Sequence, residues 1–300
     1  MEIEEVYENI YLIEKKSSNT PSELKEAFPG KKVCICDFYI EYSENGKIDE
    51  NGVTDYCDLF IVDHHAPVPY MKKHISSAVI ASRYVSSNGL LGDEYVIVVN
   101  HTDTDSLLSA LLMSGKIEPN IEYEKAAIAA DHTGEEHIIS DLLQSSEDGR
   151  ELKKSIELLL IMVKDPKMVK DLGIMKERLL IRSELKELVP TFTVNMNNGI
   201  AFKIMDKKID AGLLPALFPN VKAIMVASPM SDESKGKWRI RVRLGNSSED
   251  IELNKLNLPD TGGRWNAIST SRNGGTNTEP EVYLKMLSDE INRQQNKDDR

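Results

Sequence analysis

The sequence predicts an α/β fold, with a parallel-sheet domain and flanking helices followed by a smaller α+β domain. In the first half of the chain, short apolar runs alternate with helical patterns, and each run ends abruptly in polar residues. Such alternation is typical of βαβ units, which build mostly parallel sheets. Beyond Pro190, strand-like runs follow one another across Asn/Gly and Ser/Asp turns, and the helical pattern returns only weakly. That change of pattern predicts the second domain.

Each element of the first domain has a local signal. A helix is predicted behind Thr20, because threonine suits the cap and Pro21 suits the first helical position. A second helix is predicted over 106–113, ending before Gly115. Four apolar runs are predicted to be strands that end in acids or histidines: 32–36, 59–62, 94–99 and 126–130.

The domain boundary is predicted between residues 188 and 189. Residues 1–188 form the predicted metal-binding catalytic domain, which includes a charged helical linker from about residue 149, and residues 189–300 form the substrate-binding domain. Charge divides near the same place, since residues 190–300 hold 16 basic and 14 acidic residues whereas residues 1–189 hold 21 and 35. A solvated surface explains most of this, but carboxylate-rich metal chemistry followed by a phosphate-binding module has the same distribution.

Composition argues against several classes of protein. The net charge of −12 disfavours sequence-independent binding of duplex nucleic acid. The longest uninterrupted apolar run, 158–163, is far too short to span a membrane. The N-terminus is acidic and has no signal-type apolar stretch, so a cytoplasmic protein is expected. Three cysteines, an odd number, argue against a disulfide framework, and buried reduced thiols are expected instead.

The polar residues behind the four apolar runs predict a metal site. They are Asp37, Asp63-His64-His65, His101-Thr102-Asp103-Thr104-Asp105 and Asp131-His132. In a parallel sheet such strand ends lie along one edge, and like charges gathered there would repel one another without metal ions. Carboxylates with imidazoles suit divalent ions and favour Mn²⁺ over Mg²⁺. A carboxylate shared by two ions about 3.5–4 Å apart would hold a hydroxide aimed at phosphorus.

Each piece alone has an ordinary explanation. Asp37 and the acids of the His-x-Asp-x-Asp segment could cap helices, and Asp-His-His is short enough to arise by chance. Their combination behind apolar runs is what favours a metal site. The sequence does not decide the roles of His132 and His137, which stand near Asp131. Each could be an extra metal ligand, a proton donor or a histidine with no function at the site.

The motifs resemble those of a known family. Val62-Asp63-His64-His65 resembles the motif that names the DHH phosphoesterases, and the Asn100–Ser106 stretch resembles their His-x-Asp-x-Asp element. Asp37 resembles the solitary bridging aspartate of that family, and residues 130–134 resemble its late Asp-Thr-Gly element with an inserted histidine. Residues 260–267 resemble the glycine-rich motif of the associated DHHA1 domain, and 238–243 resemble the strand before that motif.

Two features depart from the family pattern. The His-x-Asp-x-Asp element normally precedes the solitary aspartate and Asp-His-His, whereas here it follows both. A permuted strand connection that delivers the same residues to the same edge is the interpretation we favour, and a mistaken match of residues 101–105 is the alternative. Arg264 stands where the family usually has histidine, and its guanidinium still suits a phosphate.

The resemblance implies a role for each residue of the predicted site. Two divalent ions are implied, with Mn²⁺ preferred. The implied ligands are His101 and Asp103 on the first ion, Asp105, His64 and Asp131 on the second, and Asp37 as the bridge. His65 would contact the phosphate, and Asp63 would orient His64 or His65 from behind.

Arginines and glycines of the second domain predict a phosphate-binding surface. On a strand, Arg239, Arg241 and Arg243 share one face, although an exposed charged face is the ordinary alternative. Paired glycines let backbone N–H groups approach a phosphate closely. The predicted substrate-binding residues are Arg241, Arg243, Gly262, Gly263, Arg264 and Arg272.

Together these patterns predict a phosphoester hydrolase in which a metal-bound hydroxide attacks in line. The expected substrates are short single-stranded oligonucleotides, as for a nanoRNase-like enzyme, or small nucleotides, because an acidic chain with a compact basic patch favours a small ligand. One alternative is an inorganic pyrophosphatase of the same superfamily, and another is a nucleotide-binding sensor without turnover. The natural substrate, the polarity of cleavage and the existence of a homodimer stay open.

Overall fold

The structure is a computed structural model that describes residues 2–14, 19–65, 75–145, 152–164, 173–195, 199–230, 236–246, 248 and 251–298. The chain divides into two compact units. Unit 1 comprises Met1–Asp131 and Glu136–Leu180, and unit 2 comprises His132–Glu135 and Ile181–Arg300. The predicted boundary between residues 188 and 189 stays a prediction, and residue 149, where the predicted linker begins, lies outside the described residues.

Unit 1 contains a seven-stranded, mostly parallel sheet. Its strands are β1 (Ile3–Tyr7), β2 (Ile10–Ile13), β3 (Lys32–Cys36), β4 (Lys47–Ile48), β5 (Thr54–Tyr56), β6 (Leu59–Val62) and β7 (Tyr95–Val99), in the spatial order β1-β2-β7-β3-β6-β5-β4. The four central strands run parallel, and antiparallel pairs close both edges. The mixed α/β class predicted from the alternating pattern is confirmed, and three of the four predicted strands are present.

The central strands are apolar except at their ends, because both faces of the sheet are covered. Along β3, Cys34 and Cys36 belong to one buried cluster, which also contains Leu108. Val33 and Ile35, which alternate with them, belong to a second buried cluster. A strand buried on both faces has no polar alternation. The polar residues of these strands are therefore confined to their ends.

The helices described between residues 21 and 188 begin after β2 and alternate with the remaining strands of unit 1 before continuing without strands. They are α1 (Pro21–Ala27), α2 (Ser77–Asn88), α3 (Thr104–Met113), α4 (Ile121–Ile128), α5 (Ile138–Gln144), α6 (Leu152–Lys164) and α7 (Gly173–Leu188). α1 begins at the predicted residue. α3 begins earlier than predicted because Asp103 caps it, with Oδ1 accepting from the N–H of Ser106 at 3.0 Å. None of the helices in the described residues has the length and apolarity needed to cross a bilayer.

The apolar run 126–130 is helical, so the prediction of a strand there is wrong. Asn120 caps α4 through a hydrogen bond from the N–H of Glu122 at 3.0 Å, and a π-helical turn, Ala129–Thr133, continues the helix. A short apolar run does not distinguish a buried strand from a buried helix, and alanine favours the helix. Asp131 and His132 therefore lie in a helical turn rather than at a strand end.

The cysteines are free thiols, but only two of them are buried. Cys34 and Cys36 have no exposed surface. The expectation of burial is wrong for Cys57, which is exposed. Cys57 and Asp58 form the turn between β5 and β6, with φ values of 52° and 59°. Two-residue turns of this kind lie at the surface because they reverse the chain beyond the sheet.

Unit 2 contains a six-stranded sheet and short helical segments. Its strands are β8 (Thr193–Asn195), β9 (Ile200–Ile204), β10 (Ala223–Pro229), β11 (Trp238–Leu244), β12 (Gly262–Arg264) and β13 (Ala267–Ser269), in the order β12-β13-β11-β10-β9-β8. β9 and β10 are parallel, and the other pairs are antiparallel. α8 (Leu214–Leu217) and α9 (Pro280–Asp298) complete an α+β composition.

Residues 132–135 are held within unit 2 by a buried arginine and a close backbone contact. The two terminal nitrogens of Arg182 donate to the carbonyls of Gly134 and Glu135, each at 2.8 Å. A side chain at Gly134 would place its Cβ only 2.5 Å from the carbonyl oxygen of Gly212. Glycine is therefore required at position 134 for this packing.

We expect Thr20→Ala to lower the free energy of unfolding by about 1 kcal/mol, because Thr20 caps α1. Thr20 Oγ1 accepts from the N–H of Glu23 at 3.3 Å, and Glu23 Oε2 accepts from the N–H of Thr20 at 3.0 Å. This reciprocal pair is a capping box. Urea unfolding followed by circular dichroism measures the loss. Thr20→Ser keeps the hydroxyl and is the control, and an alanine variant as stable as wild type would contradict the role of the cap.

Candidate metal centre

Asp37 lies at the centre of the candidate site. It follows β3 directly, is fully buried and has a left-handed backbone with φ of 66°. Aspartate tolerates this conformation better than most residues. The N–H of Asp37 donates to the carbonyl of Val62 at 2.9 Å, which ties the end of β3 to the end of β6. The backbone thus fixes the Asp37 carboxylate at the edge where the parallel strands end.

The two oxygens of Asp37 face different histidines. Oδ1 lies 3.4 Å from His64 Nε2 and 3.3 Å from His65 Nδ1, whereas Oδ2 lies 3.2 Å from His101 Nε2. Asp103 Oδ2 lies 3.2 Å from the same nitrogen of His101. Two groups of donor atoms that could hold a metal ion therefore share Asp37. They are Asp37, His64 and His65, and Asp37, His101 and Asp103.

The order of the strands brings the His-x-Asp-x-Asp element to Asp37. β7 pairs with β3 in parallel on one side, and β6 pairs with β3 in parallel on the other. The ends of β7, β3 and β6 therefore lie side by side in the sheet, although β7 is the last of the three in sequence. The permuted connection stays our interpretation of the departure from the family order, and the place of His101 and Asp103 beside Asp37 agrees with it.

His64 is buried among three carboxylates. Its Nε2 lies 3.2 Å from Asp131 Oδ2, 3.4 Å from Asp37 Oδ1 and 3.4 Å from Asp105 Oδ2. Asp131 reaches this place from the π-helical turn that follows α4. The structure therefore brings together all six residues that the sequence predicts as metal ligands, with His64 and His101 on either side of Asp37.

Both oxygens of the Asp105 carboxylate accept backbone hydrogen bonds. Oδ2 accepts from the N–H of Ser77 at 2.8 Å, and Oδ1 accepts from the N–H of Ala78 at 2.7 Å. These are the first two residues of α2. A negative charge near a helix N-terminus is stabilising, so Asp105 holds the first turn of α2 at the site. Its predicted role as a metal ligand, which would use its remaining lone pairs, stays a prediction.

Burial and close charges shift the pKa values of the groups at the site. Burial opposes a charge on His64, but Asp131 and Asp37 raise the pKa of this residue well above its ordinary value. Burial likewise opposes a charge on His101, yet Asp103 and Asp37 raise its pKa to about 11. Burial and the charge of Asp37 raise the pKa of Asp105 well above its usual range. The carboxylates thus create an environment in which positive charge is strongly favoured.

The donor set fits divalent metal ions. It combines imidazole nitrogens with carboxylate oxygens, both of which are ligands of divalent metal ions in proteins. The donor atoms within each of the two groups lie within 4.8 Å of one another. Buried carboxylates in such proximity need compensating positive charge, which bound ions supply.

His65 is the most exposed of the three site histidines, and Asp63 holds its ring. The His65 side chain is 31% exposed. Its Nδ1 lies 2.9 Å from Asp63 Oδ1, which also accepts from the N–H of His65 at 3.0 Å. A carboxylate at Nδ1 fixes the tautomer and the orientation of the ring. The resemblance implied that Asp63 orients His64 or His65, and Asp63 contacts His65; the role itself stays a prediction.

Sequence reasoning missed the role of Asn100. Its Oδ1 lies 2.7 Å from Nδ1 of His101. An acceptor at Nδ1 directs Nε2 of the same ring toward Asp37 and Asp103. The available signal was the polar residue immediately before His101, since histidines that bind metals usually have an acceptor at their second nitrogen.

The other two histidines near Asp131 have separate partners. His137 Nε2 lies 3.4 Å from Oε2 of Glu122, whose side chain is half exposed. His132 is buried in unit 2, where its Nδ1 lies 2.9 Å from Asn266 Nδ2 and its ring lies 6.0 Å from that of Trp265. The structure therefore favours the ordinary role for His137.

Three of the four predicted substrate-binding arginines share one face of the sheet in unit 2, and the fourth, Arg272, lies in the 3₁₀-helical turn Thr270–Asn273. Arg241 and Arg243 pair across to Ser269 and Ala267, which in turn pair with Gly262 and Arg264. Directly paired residues on neighbouring strands lie on the same face. Burial and the nearby charge of Arg239 lower the pKa of Arg241, and burial and Arg264 lower the pKa of Arg272. Partly buried guanidinium groups close to one another favour an anionic ligand.

Gly263 is required by the hairpin that carries Arg264. Its φ is 154°, and a Cβ at this position would lie 2.2 Å from the carbonyl oxygen of Ala267. No L side chain fits there. The predicted role of this glycine toward a phosphate stays a prediction, because the packing of its own hairpin already explains the residue.

Comparison with known proteins finds solved structures and nothing else. No family model and no curated protein matches the sequence. One similar structure is a pGpG-specific phosphodiesterase, PggH, from Vibrio cholerae, with 13% identity over 91% of this chain and 89% of that chain and a TM-score of 0.48. Another is an exopolyphosphatase-related protein from Bacteroides fragilis, with 13% identity over 91% of this chain and 75% of that chain and a TM-score of 0.42. In its sequence motifs this chain resembles the DHH/DHHA1 phosphoesterases.

Proposed function

We propose that this chain is a phosphoester hydrolase that uses two divalent metal ions and prefers Mn²⁺ to Mg²⁺. The observation that carries the proposal is the buried Asp37 carboxylate, whose Oδ1 lies 3.4 Å from Nε2 of His64 and whose Oδ2 lies 3.2 Å from Nε2 of His101. A carboxylate shared in this way is typical of two-metal sites. When bound there, such ions supply a hydroxide nucleophile at neutral pH and neutralise charge on the phosphoryl oxygens.

Each side chain of the centre has a definite task in this proposal. The residues that would hold the ions are His101 and Asp103 for one, His64, Asp131 and Asp105 for the other, and Asp37 for both. Asn100 keeps His101 Nε2 directed at the carboxylates. Burial of Asp37 and Asp105 excludes water from their oxygens, so their charge is screened less than it would be at the surface.

His65 is the residue proposed to act on the phosphate itself. Asp63 holds Nδ1 of His65, which leaves Nε2 as the ring nitrogen that can exchange a proton or donate to a phosphoryl oxygen. The partial exposure of the His65 side chain, 31%, supports this role, because a substrate can reach it. Nε2 would donate a hydrogen bond to a non-bridging oxygen or a proton to the leaving group.

The substrate class is proposed from unit 2 considered by itself. Its sheet presents Arg241, Arg243 and Arg264 on one face, which suits a ligand with phosphate groups. The chain as a whole carries a net charge of −12, which disfavours long nucleic acids. We therefore propose a small nucleotide or a short single-stranded oligonucleotide as the substrate.

A panel of phosphate compounds tests the proposal. Hydrolysis of a dinucleotide, a longer single strand, a cyclic dinucleotide, a 3′-phosphonucleotide and pyrophosphate is measured with Mn²⁺, Mg²⁺ or a chelator. We expect turnover of one of the nucleotides with Mn²⁺, and its loss with the chelator. In His101→Ala we expect turnover to fall by more than about 100-fold, because a ligand is removed and even supporting residues cost up to that amount. His137→Ala, which removes a histidine outside the centre, is the matched control.

Each outcome separates the candidate functions. Turnover of pyrophosphate alone would identify a pyrophosphatase, and no turnover combined with tight nucleotide binding would identify a sensor. Turnover that persists in His101→Ala at the wild-type rate would show that the centre is placed incorrectly.

A further inference from the structure

Two serine hydroxyls contact the Asp37 carboxylate, one on each oxygen. Ser77 Oγ donates to Asp37 Oδ1 at 2.9 Å. Ser106 Oγ lies 3.1 Å from Asp37 Oδ2 and 2.7 Å from Asp103 Oδ1, so its single proton is shared between two carboxylates. Both serines are fully buried. Each oxygen of Asp37 is therefore contacted by one serine and faces at least one histidine. Oδ1 is contacted by Ser77 and faces His64 and His65. Oδ2 is contacted by Ser106 and faces His101.

The position of Ser77 is itself fixed by another residue of the centre. Its backbone N–H donates to Asp105 Oδ2 at 2.8 Å, while its side chain donates to Asp37. Asp105 lies in the first turn of α3, and Ser77 begins α2. One residue thus connects two buried carboxylates that come from different parts of the chain.

We propose that Ser77 and Ser106 are positioning residues that fix the plane of the Asp37 carboxylate so that one oxygen faces each group of ligands. The inference rests on the proposed two-metal function. A carboxylate oxygen has two lone pairs, and a hydroxyl that occupies one of them leaves the other directed toward the histidines. Without these hydroxyls the carboxylate can rotate about its Cβ–Cγ bond. After such a rotation, Oδ1 and Oδ2 do not face their two groups of ligands at the same time. Residues that support a metal ligand in this way typically change metal affinity by about 10- to 100-fold.

The test measures Mn²⁺ binding to the metal-free full chain by calorimetry in Ser77→Ala and Ser106→Ala. Ser82→Ala is the matched control. It removes a buried hydroxyl from the same helix as Ser77, but this hydroxyl donates to Glu124 at 2.6 Å rather than to the centre. We expect Mn²⁺ to bind about 10- to 100-fold more weakly to Ser77→Ala and Ser106→Ala than to wild type. The control should bind with unchanged affinity.

Thermal unfolding without metal separates misfolding from mispositioning. We expect Ser77→Ala and Ser82→Ala to unfold at similar temperatures in the absence of Mn²⁺, and only the control to gain the wild-type stabilisation when Mn²⁺ is added. A Ser77→Ala variant that binds Mn²⁺ as tightly as Ser82→Ala would overturn the inference and leave the proposed function intact. Weakened Mn²⁺ binding in the variants, combined with no hydrolysis of any substrate by wild type, would support the inference and overturn the proposed function.

Discussion

We expect Asp37→Asn to weaken Mn²⁺ binding and to slow phosphoester hydrolysis, each by more than about 100-fold. This loss is larger than the 10- to 100-fold loss that is typical when a residue supporting a metal ligand is removed. Asparagine has the same shape and tolerates the left-handed backbone that Asp37 adopts, with φ of 66°. The substitution therefore removes charge without straining the chain. It also replaces one oxygen by an NH₂ group, which cannot accept from a serine or bind a metal ion. Whichever way the amide is oriented, one of the two groups loses its shared ligand.

Two measurements check this expectation. Calorimetry gives the affinity for Mn²⁺, and thermal unfolding gives the stabilisation, which for wild type should be about 2.7 kcal/mol per site when the free ion is at 100 times its Kd. Asp58→Asn is the matched control, since Asp58 also has a left-handed backbone, with φ of 59°, but lies on an exposed turn. Should Asp37→Asn retain the Mn²⁺ stabilisation and turnover of the control, the bridging role of Asp37 would be refuted.

The second large effect is on stability. We expect Arg178→Ala to lower the free energy of unfolding by about 3–5 kcal/mol, because it leaves a buried carboxylate without its partner. Arg178 Nε lies 3.1 Å from Asp141 Oδ1, and both side chains are buried. Arg178 also donates to Gln144. This ion pair connects α7 to α5 inside unit 1, so its loss should lower the urea midpoint at which unit 1 unfolds.

A double variant distinguishes the ion pair from simple loss of packing. Replacing both partners, with Arg178→Met and Asp141→Leu, removes the unpaired charge and should recover most of the stability, since apolar replacements of buried pairs are often neutral. Arg83→Ala, which truncates an exposed arginine on α2, should change stability by less than about 0.5 kcal/mol. If Arg178→Ala behaved like Arg83→Ala in urea, the ion pair would contribute nothing to stability.

The strands were predictable from the sequence because local patterns specify them. The runs at 33–36, 59–62 and 95–99 contain no charged residue, which is the pattern of strands buried on both faces. The polar residues at their ends were predictable candidates for the same reason, since a buried strand leaves polar groups only at its ends. The run 126–130 has the same apolar signal and is helical, because its length and composition suit both structures.

Other features depend on contacts that no local pattern contains. The N–H groups of Ser77 and Ala78 meet Asp105 only because α2 and α3 pack together. The same packing brings the Ser77 hydroxyl to Asp37, although the sequence around Ser77 has only the signal of a helix start. Asp103 has two roles, only one of which a local pattern contains. It caps α3, as the sequence allowed, and it also lies beside His101.

By itself, the sequence determined which residues could form the candidate site. The sequence places acids and histidines directly after the apolar runs of β3, β6 and β7, and it places arginines at alternate positions along β11. Both patterns are visible without the structure, because strand ends and periodicity are local properties of the chain. Only the tertiary structure decided that β7 lies beside β3, that each oxygen of Asp37 faces a different histidine group, and that serines contact both oxygens. Those contacts join residues far apart in the chain, and the packing of helices on the sheet, rather than any local propensity, brings them together.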